Sequence, residues 1–198
     1  MTTYTELERE HVTLDVIHQR RAVRHYGPER VAASSIRALL EAAVQAPTAM
    51  HLEPWAFVVI QDRTLLQRLS DRAKALAEVQ PTAHRDLGPL SHPGFNIFYD
   101  ASTLIVICGK PLGAFVAADC WLAAENVMLS ACAMGLGSCC IGFAVPVLND
   151  PEVKRELGIP ADVTVVAPII VGVPAGDTPP VPRRSPDVLR WIGQETVG

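Results

Sequence analysis

At 198 residues, with 17 Lys and Arg against 21 Asp and Glu, a net charge of −4 and a pI near 5.8, the chain lacks the cationic balance of a general polyanion binder. Nucleic acid is therefore not an expected partner. A chain of this length can bury roughly 70% of the surface its unfolded form exposes, so one domain over 1–198 is expected, with a proline-bearing arm at about 175–198.

The N-terminus from Met1 to Glu10 is polar and has no apolar stretch of the kind a secretory leader needs, which predicts a cytoplasmic protein. Thr13 to Gln19 can form a short helix. It delivers Arg20, Arg21 and Arg24, three permanent cations in five residues, and guanidinium groups clustered in this way suit a phosphate held by forked hydrogen bonds. Gly27-Pro28 then turns the chain. Ser34 or Ser35 is expected to cap a helix whose apolar positions Ile36, Leu39, Leu40, Ala43 and Val44 recur at helical spacing, with Pro47 ending it.

Between Ala46 and Trp55 the chain runs through a tight polar loop that can point several backbone N–H groups at one ligand. Trp55 to Ile60, a continuous aromatic and β-branched run, reads as a buried strand. Thr64 to Val79 reads as an amphipathic helix with Leu65, Leu66, Leu69, Ala73 and Leu76 on one side. Residues 81–96, interrupted by Pro81, Gly88, Pro89, Pro93 and Gly94, read as a long loop or lid where specificity could reside.

Thr103 to Cys108 predicts a second buried strand, and Phe115 to Met134 a long helix apolar on nearly every side. Asp119, Glu125, Asn126 and Ser130 within that run argue against a membrane span, because each central acid would cost roughly 2.5–3.5 kcal/mol. A helix of that kind has to be covered all round, which favours a second subunit. Gly135 to Gly137 stops it. Ser138 to Phe143 and Val163 to Val173 supply further strands, with a short helix near Pro151 to Leu157 between them. Cysteines 108, 120, 132, 139 and 140 show no C-x-x-C or Cys/His spacing, so no metal site is expected and buried thiols in a reducing compartment are the simplest reading.

Arg20-Arg21-Ala22-Val23-Arg24, followed after a helix by Ala46-Pro47-Thr48-Ala49-Met50-His51-Leu52-Glu53-Pro54-Trp55-Ala56-Phe57, resembles the flavin-binding signature of the FMN-dependent nitroreductase family. Asp100 to Cys108, Ala124 to Gly137, Ala167 to Gly172 and the pair Arg183-Arg184 follow in the family's order, so the likeness covers nearly the whole chain. It implies a mixed central α/β sheet flanked by helices, in an intertwined homodimer with two FMN sites at the interface. The implied activity is FMN-dependent NAD(P)H oxidoreduction, passing two electrons by a ping-pong route to a nitroaromatic, quinone or similar conjugated small molecule, with flavin N5 carrying the hydride.

The resemblance also assigns residues. Arg20 would bind the FMN phosphate, Arg21 and Ala22 would line the ribityl chain or ring edge, and Arg24 would face the N1/C2=O edge and tune the flavin electrostatically. Pro47, Thr48, Ala49, Met50 and His51 would contact the isoalloxazine, supplied by the other subunit. Cys140, Ile141 and Gly142 would pass near the ring, and Arg183 and Arg184 would form the C-terminal basic pair, with Arg184 the better phosphate ligand. Many members carry Asn and Gln where this chain has His51 and Glu53. The His/Glu version is closer to the dehalogenating and flavin-fragmenting branches and makes His51 a candidate general acid, although the Glu, Tyr and Lys lid of the dehalogenases has no clear counterpart. A flavin-binding or storage module without turnover is the reading from another class.

Overall fold

Every residue of Thr103–Gly109 is buried, and this strand, β2, lies inside a four-stranded sheet. In a computed structural model of the chain the described residues are 6–79, 92 and 94–193, so the expected loop at 81–96 falls outside them except for 92 and 94–96. The strand order is β1-β2-β4-β3, with β1 at Trp55–Ile60, β3 at Gly137–Cys140 and β4 at Thr164–Gly172. All three ladders are antiparallel, and a parallel bridge, Ala22 to Ser138, adds to the edge beyond β3.

Alternation along β2 sends side chains into two layers. Leu104, Val106 and Cys108 enter one core with Leu66, Leu69 and Ala73 of α3 (Arg63–Val79), Val147 and Leu148 of α5 (Val145–Leu148) and Val153 of α6 (Pro151–Glu156). Ile105 and Ile107 enter the other, with Ile36, Leu39 and Ala43 of α2 (Ala33–Ala43) and Cys120, Ala123, Ala124, Val127 and Ala131 of α4 (Val116–Ala133). The β2–β4 register slips between Ile107 and Cys108, which face Ala167 and Val165. That bulge leaves Val166 extra and lets Val165 share a layer with Ile170.

Several expectations need correcting. The first helix, α1, spans Glu6–Gln19 and so starts well before Thr13. Neither Ser34 nor Ser35 caps α2: the N-cap is Ala32, with no side-chain cap bond, and both serines already lie in the first helical turn. β1 is an edge strand and only partly buried, with Val59 exposed, because its outer side has no neighbour among the described residues. The predicted strand at Ser138 to Phe143 stops at Cys140. Ile141 N–H donates to the Pro168 carbonyl at 2.9 Å, then Gly142–Ala144 winds into a 3-10 turn that feeds α5, where Pro146 suits a first helical turn.

α4 ends as Gly135 adopts φ +70°, with Leu136 N–H returning to the Ala131 carbonyl at 2.8 Å. One face of α4 packs on the sheet, while Phe115, Trp121 and Leu122 stay exposed, so the chain alone does not cover the apolar helix. No helix among the described residues is long and apolar enough to cross a membrane. Residues 177–193 are exposed and form no regular element.

Candidate functional site

Leaving α1, residues 20–27 run as an extended segment along the free edge of β3 and across the end of β4. Val23 N–H donates to the Ser138 carbonyl at 3.0 Å, Gly27 N–H to the Val173 carbonyl at 2.9 Å, and Ala175 N–H to the His25 carbonyl at 3.0 Å. Two glycines make the seat. A Cβ at Gly137 would stand 2.8 Å from Val23 Cβ, and one at Gly172 would stand 2.6 Å from Cδ1 of the Tyr26 ring. Tyr26 Oη donates to the Val23 carbonyl at 2.7 Å, closing the segment on itself, and burial holds this phenol protonated well above its ordinary pKa.

Side chains alternate along an extended segment, so Arg20, Ala22 and Arg24 share one side. Both Arg20 and Arg24 act on the Cys139 thiol; burial raises its pKa, while Arg24 first and Arg20 second work against that rise. Arg20 Nε pairs with Glu125 Oε1 of α4 at 3.4 Å. Arg24 lies over the Tyr99 ring, 5.9 Å from its centroid. Arg21 donates to the His18 and Arg20 carbonyls, so within the chain it caps the end of α1. Beside Arg20 and Arg21 opens a cleft of about 290 Å³, lined also by Val23, Cys132, Ser138 and Thr178 but not by Ala22 or Arg24.

The second predicted element stands on the same helix. Ala49 N–H donates to Oδ1 of the buried Asp119 of α4 at 3.2 Å, Glu53 N–H to Thr48 Oγ1 at 3.4 Å, and Asn126 Nδ2 to the Ala42 carbonyl at 3.0 Å. Pro47 precedes a 3-10 turn at Ala49–His51, in which Met50 and His51 take φ of 54° and 55°, and Glu53 follows at 45°. Left-handed conformations are costly for such residues and are kept where surrounding contacts enforce them. They leave Met50 87% exposed and His51 exposed, uncovered by the chain itself.

Within one chain the structure brings together Arg20, Ala22 and Arg24 with Cys139, and places Cys140, Ile141 and Gly142 directly after it on the same connection. Burial pushes the Cys140 thiol, like Cys108 and Cys120, up to about 11, so these thiols act as small apolar groups near neutrality. No hydrogen bond or ion pair among the described residues joins Pro47 to His51 with Arg20 to Arg24. Arg183 and Arg184 lie exposed in the arm, and neither lines the arginine cleft.

Sequence reasoning missed Asp119, Glu125 and Tyr99 as supports. The two acids did carry a signal, being charges inside an apolar helix, but Tyr99 had none. A larger cleft of about 380 Å³, lined by Asn149, Pro151, Lys154, Arg155, Ile159 and Ala161, contains none of the predicted residues. Two of its polar side chains are used internally: Lys154 Nζ donates to the Ala161 carbonyl at 2.7 Å, and the Asn149 amide bonds to Val145 and Val165.

The nitroreductase family model matches residues 17–173. A protein of Archaeoglobus fulgidus provisionally named NADH dehydrogenase/NAD(P)H nitroreductase is 28% identical over 166 residues, covering 81% of this chain and 84% of that one. A nitroreductase with bound FMN from Bacteroides fragilis superposes with a TM-score of 0.78 at 28% identity, covering 90% of this chain and 98% of its own. Iodotyrosine deiodinase 1 of Sus scrofa is 28% identical over 125 residues, 59% of this chain and 43% of that protein.

Proposed function

The chain belongs to the nitroreductase family, and from that membership we propose that it is an FMN-dependent NAD(P)H oxidoreductase delivering two electrons to a nitroaromatic, quinone or similar conjugated acceptor. The observation that carries the reading is the arginine segment, seated on Gly137 and Gly172, with Arg20 at a cleft and both Arg20 and Arg24 acting on the Cys139 thiol. Its donor set fits the cofactor: a forked cation for a phosphate at one end, and a second cation that no carboxylate among the described residues pairs with at the other.

Bound FMN supplies hydride acceptance and donation at its N5. Arg20 would hold the phosphate, exchanging its half-exposed partner Glu125 for a better one, and Ala22 would let the ribityl chain lie close. Arg24 would offset the negative charge gathered at the N1/C2=O edge. Backbone groups of Cys140, Ile141 and Gly142 would border the ring. Pro47 to His51 of a second copy would cover it, which suits a loop whose Met50 and His51 stand uncovered. Arg184, with Arg183, would reach the phosphate from the arm.

Anaerobic addition of NADH or NADPH to the yellow protein should bleach it, and a defined quinone or nitroaromatic should restore the colour. A protein that stays yellow with both donors is not this enzyme, and a storage module becomes the better account. His51, Glu53 and the deiodinase likeness favour a second reading, reductive dehalogenation or oxygen-dependent flavin cleavage. Halide release from an iodinated phenol, or loss of flavin absorbance only in air, would select it.

The site as read is complete only in a homodimer. Exposed Phe115 at the N-cap of α4 and Trp121 and Leu122 on it, together with Leu189, Trp191 and Ile192 in the arm, offer apolar surface of the kind an obligate interface buries, commonly more than about 2,000 Å². Sedimentation is expected to give a dimer down to nanomolar concentration. A folded, flavin-loaded monomer in that range would overturn the shared site.

A further inference from the structure

We propose that Tyr99 is a positioning residue for Arg24, so that the segment entering β2 sets where the cation stands at the cofactor edge. The proposal rests on the reading of Arg24 given above. Arg20 already has a carboxylate beside it in Glu125, whereas Arg24 has none among the described residues. Its partners are the Tyr99 ring, 5.9 Å away, and the Cys139 thiol. An aromatic face attracts a guanidinium without cancelling its charge. A carboxylate in the same place would neutralise the field that a reduced flavin needs.

The chain maintains Tyr99 against local preference. Tyr99 and Asp100 are consecutive non-glycine residues at φ 53° and 57°, a conformation a bulky side chain rarely adopts. Contacts on both sides enforce it. Phe98 is fully buried and Ala101 nearly so, Tyr99 N–H donates to the Asn96 carbonyl at 2.9 Å, and Asn96 Nδ2 donates to Asp100 Oδ1 at 3.0 Å. Ile97 N–H is fixed on Ser70 Oγ of α3 at 3.0 Å. Phe95 then packs edge-on against the Tyr99 ring, centroids 5.3 Å apart at 88°. Phe95 thus braces the ring, and Arg24 lies over it. Strain of this sort is retained where it fixes a direction.

The test uses the FMN-loaded protein with Tyr99→Phe, Tyr99→Leu and Arg24→Ala. Tyr99→Leu should shift the flavin midpoint potential in the same negative direction as Arg24→Ala, but by less, and slow flavin reduction by NAD(P)H about two- to fivefold. Tyr99→Phe, which keeps the ring face, should match wild type in both. FMN affinity should stay within about twofold in the Tyr99 variants, since the phosphate end is untouched. The Arg24 Nε–Hε proton should lose an upfield ring-current displacement in Tyr99→Leu and keep it in Tyr99→Phe; should the leucine variant fold poorly, Tyr99→Met serves the same comparison.

A wild-type potential in Tyr99→Leu alongside a shifted one in Arg24→Ala would overturn the role of Tyr99 and leave that of Arg24 standing. An unshifted potential in Arg24→Ala would remove the reading of Arg24, and this proposal with it. Equal losses in Tyr99→Phe and Tyr99→Leu would also overturn it, because the ring face would then not be the operative part.

Discussion

Arg20→Ala is expected to weaken FMN binding by about 10- to 150-fold, the factor that follows from losing a charge-assisted hydrogen bond of about 1.5–3 kcal/mol. The same change should leave the fold nearly untouched. Arg20 pairs with Glu125 at 3.4 Å, but the Glu125 side chain is 48% exposed, and pairs of that kind contribute about 0–1 kcal/mol. Urea unfolding of the FMN-free protein and fluorescence titration with FMN separate the two effects. Glu125→Gln supplies the control: it removes a competitor for Arg20 without removing a phosphate donor, so FMN binding should hold or tighten. Arg184→Ala should also weaken binding, because the arm is read as bringing this cation to the phosphate. Unchanged FMN affinity in both Arg20→Ala and Arg184→Ala would sink the phosphate assignment.

That prediction draws on what local sequence could reveal, namely residue type and order. Three arginines in five residues suit an anion site only when read with the Ala46 to Phe57 element that follows them, and runs such as Trp55 to Ile60 and Thr103 to Cys108 announce strands because they are apolar and rich in aromatic or β-branched side chains. Other features are set by partners distant in the chain. Val145–Leu148 is a helix of four apolar residues, too short for its period to show. Asp119 could be recognised as an anomaly in an apolar helix, but its partner, Ala49 N–H, lies 70 residues away. Tyr99 is unremarkable in sequence; its role depends on a left-handed backbone that Phe98 and Ala101 impose from the core. Hydrophobic pattern, then, conveys the layers, whereas the means by which the layers aim the arginines lies in contacts across the sheet.

Gly172→Ala tests that aiming, and it is expected to destabilise the protein by about 1–3 kcal/mol and to weaken FMN binding as well. The added Cβ would stand 2.6 Å from Cδ1 and 3.2 Å from Cγ of Tyr26. These atoms belong to the inner part of a rigid ring, so the whole residue has to move. Tyr26 is not free to do so alone. It bridges Pro174, its hydroxyl holds the Val23 carbonyl, and Arg24 lies between those two residues in the chain. Displacing Tyr26 therefore lifts the arginine segment from the sheet edge, although Gly172 itself would touch no ligand. Combining Gly172→Ala with Tyr26→Ala removes the clash, so the double variant should lose less stability than the two single losses added together, a coupling of the size seen between residues in contact. Thermal unfolding of the four proteins in that cycle, with FMN titration of each, decides the matter. If Gly172→Ala melts and binds FMN as wild type does, Tyr26 is not the seat of the arginine segment, and the geometry that directs Arg20 and Arg24 to one side has to come from elsewhere.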